Sequence, residues 1–401
     1  MINKTKHFYT TSNFSLKEIR EIISLALQLK QVYVPGKLMA DKRLLMLFFN
    51  PSLRTRLSFI AAMDKLGGQA VDFPLSSSYP FEYKEGVVMD GVTMEHVKDA
   101  VKVMSGYSDA IAVRASKLIT SESESVKSEN WSKLKEDTVI NSFMQYASVP
   151  VINMESNVWH PCQGMADAMT MVESLSARGE NFFAPQLARD LRPYINYLQV
   201  TRSPCELQKF SSVSLKNVVP SLVPPVKNKY VLTWVPHSKA LPMATPNSQM
   251  LSACELGMDV TVVHPLGWEL DKEILDIAQK TVEKSGGSLN ISNNQNEALR
   301  GAKFVCAKSW SGMKYFGDWG KEKEVRGKYK DWIVDKAKMN LTKDAYFMHC
   351  LPVRRNVEVT DEVLDSRNSL IYKQAENRMW VQMAILLFLF EFANSMKSCS
   401  R

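Results

Sequence analysis

What limits the fold most is an alternation. The short apolar runs "KRLLMLFFN" (42–50), "DAIAVR" (109–114) and "PVINME" (150–155) each end in polar residues, and stretches with apolar residues at helical spacing separate them. "SLKEIREIISLALQLK" (15–30) opens with Ser15 and Glu18 in capping-box spacing, and "TMEHVKDAVKVMSGY" (93–107) repeats the helical pattern. A second series, "KYVLTWVP" (229–236), "DVTVVHP" (259–265), "AKFVCAKSW" (302–310) and "AYFMHCLP" (345–352), has the same strand-like form. Strands alternating with helices form parallel sheets, whose ligands sit beyond the carboxyl ends of the strands. The expected fold is therefore α/β, with two domains and a cleft between them.

Length agrees with this division, since 401 residues at 45% hydrophobic content favour two domains of ordinary size. No stretch approaches the roughly 20 apolar residues that span a bilayer. The late run "AILLFLFEF" (384–392) is short, interrupted by Glu391, and reads as a buried terminal helix. The first residues, "MINKTKHFYTTSNFSL", lack the apolar core of a signal peptide, so no membrane role and a cytoplasmic location are expected. Six cysteines without a CxxC pair argue against zinc and against a disulfide scaffold, leaving reduced core residues. A formal charge of +8, without a dense basic block, suits small anions and gives little support for nucleic acid. "SESESVKSEN" (121–130) reads as a surface loop. Residues 176–227 hold Pro185, Pro193, Pro204, Pro220, Pro224 and Pro225 without periodicity, and read as an irregular excursion or a poorly ordered insertion.

Chemistry concentrates at the strand ends. In "FFNPSLRTRLSF" (48–59), the backbone N–H groups of Ser52 to Thr55 open a helix after Pro51 and can face an anion. Ser52 and Thr55 add hydroxyls, and Arg54 adds a planar fork suited to phosphate oxygens. The plain alternative is a solvated helix start capped by Ser52. Arg56 reads as a surface or ion-pair residue. Arg114 in "AVRAS", His160 and Gln163 in "WHPCQ", and "HCLPVRR" (349–355) supply three more polar ends. A single histidine beside proline also has a structural reading, but four such clusters at strand ends point to one site.

In that order, "SLRTR", "HPCQ", "HCLPVRRN" and "AENR" resemble the aspartate/ornithine carbamoyltransferase superfamily over most of the chain outside 176–227. The resemblance implies two doubly wound parallel-sheet domains with an interdomain cleft. Residues 1–160 would bind carbamoyl phosphate, 161–175 would form a connecting helix, 176–227 would be an insertion, and 228–375 would bind the acceptor. Residues 376–401 would form a helix returning to the first domain. It also implies that the anion is the phosphate of carbamoyl phosphate, held by Ser52, Leu53, Arg54 and Thr55 without metal or cofactor. Thr55, Arg114 and His160 would polarise the carbonyl, Gln163 and the backbone at Cys350 and Leu351 would fix the carbamoyl amide, and Arg378 would add a cation. Arg54, Thr55, Arg114, His160 and Cys350 are thus the expected catalytic set. Superfamily members form trimers in which a neighbour lends a residue, and the matching position here is Tyr79, where the N-acylornithine branch usually has Trp.

"AKSWSGMKYFGDW" (307–319), "EKSGGSLNIS" (283–292) and "WVPHSKALPMATPNS" (234–248) are similar to that N-acylornithine branch, which is knotted in its second domain. The likeness implies that Lys308 pairs with the substrate α-carboxylate, Glu155 contacts the acylated α-amine side, and the Leu351 carbonyl orients the δ-amine. Met94, Arg354 and Glu358 complete the expected N-acylornithine set. Where acetyl enzymes carry a carboxylated lysine this chain has Glu358, a shorter anion, which favours an acetyl substrate. Met94 replaces the acidic marker of that class and leaves the acyl group open, with simple helix packing as its plain alternative. The expectation is carbamoyl transfer to N-acetyl-L-ornithine in arginine biosynthesis. The alternatives are N-succinyl-L-ornithine as acceptor, or a catalytically silent binding subunit.

Overall fold

The computed structural model describes residues 5–31, 38–75, 80–116, 131–177, 223 and 225–398, with backbone alone beyond 390. Tyr79, the 121–130 loop, Cys205, Cys399 and nearly all of the 176–227 segment lie outside the described residues. The first half runs α1 (Leu16–Gln31), β1 (Arg43–Phe48), α2 (Arg54–Lys65), β2 (Gln69–Pro74), β3 (Phe81–Glu82), β4 (Glu95–His96), α3 (Val97–Tyr107), β5 (Ala110–Arg114), α4 (Trp131–Leu134), α5 (Thr138–Tyr146), β6 (Val151–Glu155) and α6 (Pro161–Ala177). The second runs β7 (Lys229–Trp234), α7 (Ala244–Glu255), β8 (Asp259–Val263), α8 (Lys272–Ser285), β9 (Ser288–Ser292), α9 (Gln295–Leu299), β10 (Phe304–Lys308), α10 (Trp319–Arg326), α11 (Lys336–Met339), β11 (Tyr346–Met348), α12 (Asp361–Leu364) and α13 (Ile371–Ser398).

Two large, wholly parallel sheets result, as the alternation requires, beside a small parallel pair of β3 and β4. The first has strand order β2-β1-β5-β6 and the second β11-β10-β7-β8-β9. Strand order reverses between β1 and β5 in one sheet and between β7 and β10 in the other. Such reversals leave crevices beyond the strand ends. Phe48 is in register with Arg114 at the first reversal, and Trp234 with Lys308 at the second.

Burial explains which strands the sequence reveals. All of β6 and β10 is buried, and both read as nearly continuous apolar runs. Strands β2 and β9 are edge strands with mostly part-exposed or exposed residues, and their mixed composition hides them from an apolar-run reading. Ser15 and Glu18 form the reciprocal capping box of α1, with the Glu18 N–H donating to Ser15 Oγ (3.2 Å) and the Ser15 N–H to Glu18 Oε2 (2.9 Å). The helical pattern read from residue 93 begins only at Val97, where His96 caps α3 by accepting the Lys98 N–H. Met94 therefore precedes that helix instead of packing on it.

Packing then fixes the strand ends. Trp234, Trp268 and Trp310 are fully buried beneath the second reversal. The Trp234 indole donates to the Trp310 carbonyl (3.1 Å) and the Trp310 indole to the Trp268 carbonyl (2.8 Å), so the ends of β7 and β10 are pinned and those two indole N–H groups are satisfied. Helix α13 packs on α1, α2 and α6. It buries Val381, Ile385, Leu386 and Leu389, each contributing about 1.5–3 kcal/mol. Cys162, Cys254, Cys306 and Cys350 are free and buried. No described helix is long and apolar enough to cross a membrane.

Candidate active site

The turn after β1 leads straight into α2. Leu53 is the N-cap and its carbonyl accepts the Leu57 N–H (3.0 Å), so the preceding backbone N–H groups have no partner within the helix. Ser52 is half-buried and does not cap the helix through its side chain, and Leu53 points its side chain outward. Across the crevice, the Phe49 N–H donates to the Arg114 carbonyl (3.0 Å) and Asn50 Nδ2 to the Ser116 carbonyl, tying the turn to the end of β5. Arg56 pairs with Asp72 (2.8 Å) and lies over the Phe48 ring, a structural role as its sequence context suggested.

Thr55 is buried, and its Oγ1 accepts Arg378 Nη2 from α13 at 2.6 Å. A guanidinium only donates, so the threonine hydroxyl proton stays available for another acceptor. Arg378 Nη1 donates to Gln163 Oε1 (3.3 Å). Burial, reinforced by the Arg114 and Arg54 charges, brings the Arg378 guanidinium down to about 10, which leaves it charged at neutral pH. Arg54 is likewise lowered, first by burial, and makes no hydrogen bond or ion pair among the described residues. Arg114 pairs with Glu155, and a strand irregularity between Val113 and Arg114 brings those two residues level.

His160 binds these parts together. Its backbone N–H donates to Ser248 Oγ (2.8 Å), while its Nε2 lies 3.6 Å from Glu155 Oε2. Burial and then the Arg378, Arg114, Arg54 and Lys308 charges hold its imidazole well below the usual range, so it is neutral. Cations from both sheets thus act on one ring.

At the second reversal, Lys308 is only 9% exposed and has no ion-pair partner among the described residues. Glu358 lies nearby: burial pushes its carboxyl up, but His349, Lys308 and the Arg354 N–H together bring it below the usual range. The Arg354 N–H donates to Glu358 Oε2 (2.6 Å) and Arg354 Nε to His237 Nε2 (2.9 Å), although Arg354 itself is exposed. Cys350 is buried and its thiol is raised by burial, so it is no thiolate nucleophile. Leu351 has φ 56, a conformation costly for a β-carbon-bearing residue, and its N–H donates to His349 Nδ1 (3.0 Å). That bond fixes the Cys350–Leu351 peptide plane, and with it the direction of the Cys350 carbonyl.

Of the expected residues, Thr55, Arg54, Arg114, Glu155, His160, Gln163, Lys308, Cys350, Glu358 and Arg378 converge. Met94 is 74% exposed in the single chain. Sequence reading missed Asp167, Gln249, Gln374 and His349, which anchor Gln163 and the strand end before Cys350, and His237, which holds Arg354. The spacings Gln163–Asp167 and Gln374–Arg378, four apart on otherwise buried helix faces, were the available signal.

Two family models match the chain. One, described as "Aspartate/ornithine carbamoyltransferase, carbamoyl-P binding domain", covers residues 6–173. The other, described as "Aspartate/ornithine carbamoyltransferase, Asp/Orn binding domain", covers residues 243–389. N-acetylornithine carbamoyltransferase of Xanthomonas campestris pv. campestris is 38% identical, spanning 96% of this chain and 97% of that one. N-succinylornithine carbamoyltransferase of Bacteroides thetaiotaomicron is 31% identical, spanning 88% of each. A crystal structure of acetylornithine transcarbamylase complexed with acetylcitrulline matches with a TM-score of 0.79 at 37% identity, covering 96% of this chain and 99% of that one.

Proposed function

The chain belongs to the aspartate/ornithine carbamoyltransferase family, and we propose from that premise that it transfers the carbamoyl group of carbamoyl phosphate to the δ-amine of N-acetyl-L-ornithine. N-acetyl-L-citrulline and phosphate are the products, in a reaction of arginine biosynthesis. One observation carries this reading: Arg378 and Lys308 are buried and Arg54 half-buried, and none of the three has an ion-pair partner among the described residues, so the site is suited to anions from outside the protein. A dianionic phosphate and a substrate carboxylate supply them.

In the proposed arrangement, Ser52, Leu53, Arg54 and Thr55 cradle the phosphate with the free N–H groups of α2. The Thr55 hydroxyl, Arg114 and neutral His160 donate toward the carbamoyl oxygen, while the Gln163 carbonyl accepts from the carbamoyl NH2. The δ-amine lone pair attacks the carbamoyl carbon, and the carbonyl electron pair moves onto oxygen, where those donors stabilise it. Collapse expels phosphate with the C–O electron pair, and the amine's surplus proton leaves with it. Lys308 takes the α-carboxylate, Glu155 faces the acylated α-amine, the Leu351 carbonyl orients the δ-amine, and Arg354 and Glu358 frame the acyl side. The two-domain division, a knot in the second domain, a cytoplasmic location and a homotrimer that lends Tyr79 to the neighbouring site belong to the same proposal.

The second reading takes N-succinyl-L-ornithine as acceptor, and it is favoured by an exposed Met94 where an acid was expected for an acetyl enzyme. Product formation from carbamoyl phosphate with N-acetylornithine, N-succinylornithine and ornithine, compared side by side, tests both. Preference for the acetyl compound is the expected result. Preference for the succinyl compound would transfer the assignment, and no phosphate release with any of the three would sink it.

A further inference from the structure

Behind the proposed carbamoyl position, three glutamine amides converge on one carboxylate. Asp167 on α6 is fully buried. Its Oδ1 accepts Gln163 Nε2 (2.7 Å) and Gln374 Nε2 (2.8 Å), and its Oδ2 accepts Gln249 Nε2 (2.9 Å). The donors come from α6, α13 and α7, so both halves of the chain meet there. Burial lifts the Asp167 carboxyl to about 6, which still leaves it ionised in an assay at pH 8.

An ionised carboxylate has only acceptors. Each amide must therefore turn its NH2 toward Asp167 and its carbonyl away. Gln163 consequently presents Oε1 to Arg378 Nη1, and Gln374 presents Oε1 to the His349 N–H (2.8 Å), one residue before Cys350. A reversed Gln163 would set its own NH2 against a guanidinium.

We propose that Asp167 is a positioning residue that fixes the polarity of Gln163, and thereby makes the site select an acyl phosphate bearing NH2 on its acyl carbon over one bearing CH3. This rests on the reading of Gln163 as acceptor for the carbamoyl amide. Asp167 makes and breaks no bond. What matters is that it cannot donate, since an amide or hydroxyl in its place allows Gln163 to turn over.

The test uses two dianionic inhibitors competing with carbamoyl phosphate on the full chain at pH 8: phosphonoacetamide, and phosphonoacetone, which carries CH3 in place of NH2. Wild type is expected to bind the amide at least about tenfold more tightly, the worth of one well-placed hydrogen bond. Asp167→Asn should bring that ratio within about threefold. Asp167→Ser, smaller and also able to donate, should do the same and serves if the Asn variant does not fold. Asp167→Glu, an acceptor only, should keep the ratio. A loosened fold would weaken both inhibitors alike, so a preserved ratio in Asp167→Asn or Asp167→Ser overturns the role of Asp167 while leaving the Gln163 assignment intact. Absence of any preference in wild type removes the Gln163 assignment itself.

Discussion

At the scale of single residues, the site gathers cationic donors of which only Arg114 has a carboxylate partner among the described residues, Glu155. Arg54→Ala and Arg114→Ala should each cost at least about 3 kcal/mol of transition-state stabilisation, since each removes a charged donor from a partly desolvated position. Steady-state kcat/KM for carbamoyl phosphate measures this, and a loss confined to acceptor affinity would contradict both assignments. Lys308→Ala should instead raise KM for the N-acylornithine with a smaller change in kcat. Most of the donors were legible in the sequence because they follow a strand-like run or open a helix, whereas Arg378, inside α13, entered only through the family resemblance. Their supports were not. His349 and Gln374 are 25 residues apart in the chain and become partners only when β11 and α13 pack together. No local pattern announces that pairing.

Elements add effects that no site residue has. Helix α7 ends in Glu255, which is buried against the N-terminal turn at Thr11 with Oε2 unpaired. Burial pushes this carboxyl up to about 8, and the Thr11 hydrogen bond offsets only part of the rise. The folded chain therefore holds a proton that the unfolded chain releases near the usual carboxylate value. Stability from this group is complete at low pH and falls as pH climbs toward 8. Glu255→Gln should leave the melting temperature nearly unchanged at pH 5 and raise it by a few degrees at pH 8.5, as thermal unfolding would show. Equal shifts at both values would mean that the carboxyl does not titrate there. Legibility at this scale follows burial: strands enclosed on both faces announce themselves, while edge strands β2 and β9 do not. The start of α3 at Val97 depends on a histidine cap, which the apolar spacing from residue 93 obscured.

On the scale of the whole molecule, two parallel sheets bring their reversal points to one imidazole, a relation that follows from strand order and that no single segment contains. The proposed trimer predicts a solution mass about three times the 45.4 kDa of one chain, by light scattering. A single-chain mass in an active preparation would remove the borrowed Tyr79 from the mechanism. None of the converging residues falls within 178–224, so a variant lacking that segment should keep turnover and the same assembly. Loss of soluble protein would show that the segment is needed for folding.

Thr55 is held by an arginine 323 positions further along the chain. During synthesis, the phosphate cradle is therefore translated well before the cation that secures it. A nascent chain that has not yet reached Arg378 carries "SLRTR" in full and still lacks the grip on its threonine. Turnover should begin only once translation has passed Arg378, so that shorter chains stalled on ribosomes do not consume carbamoyl phosphate.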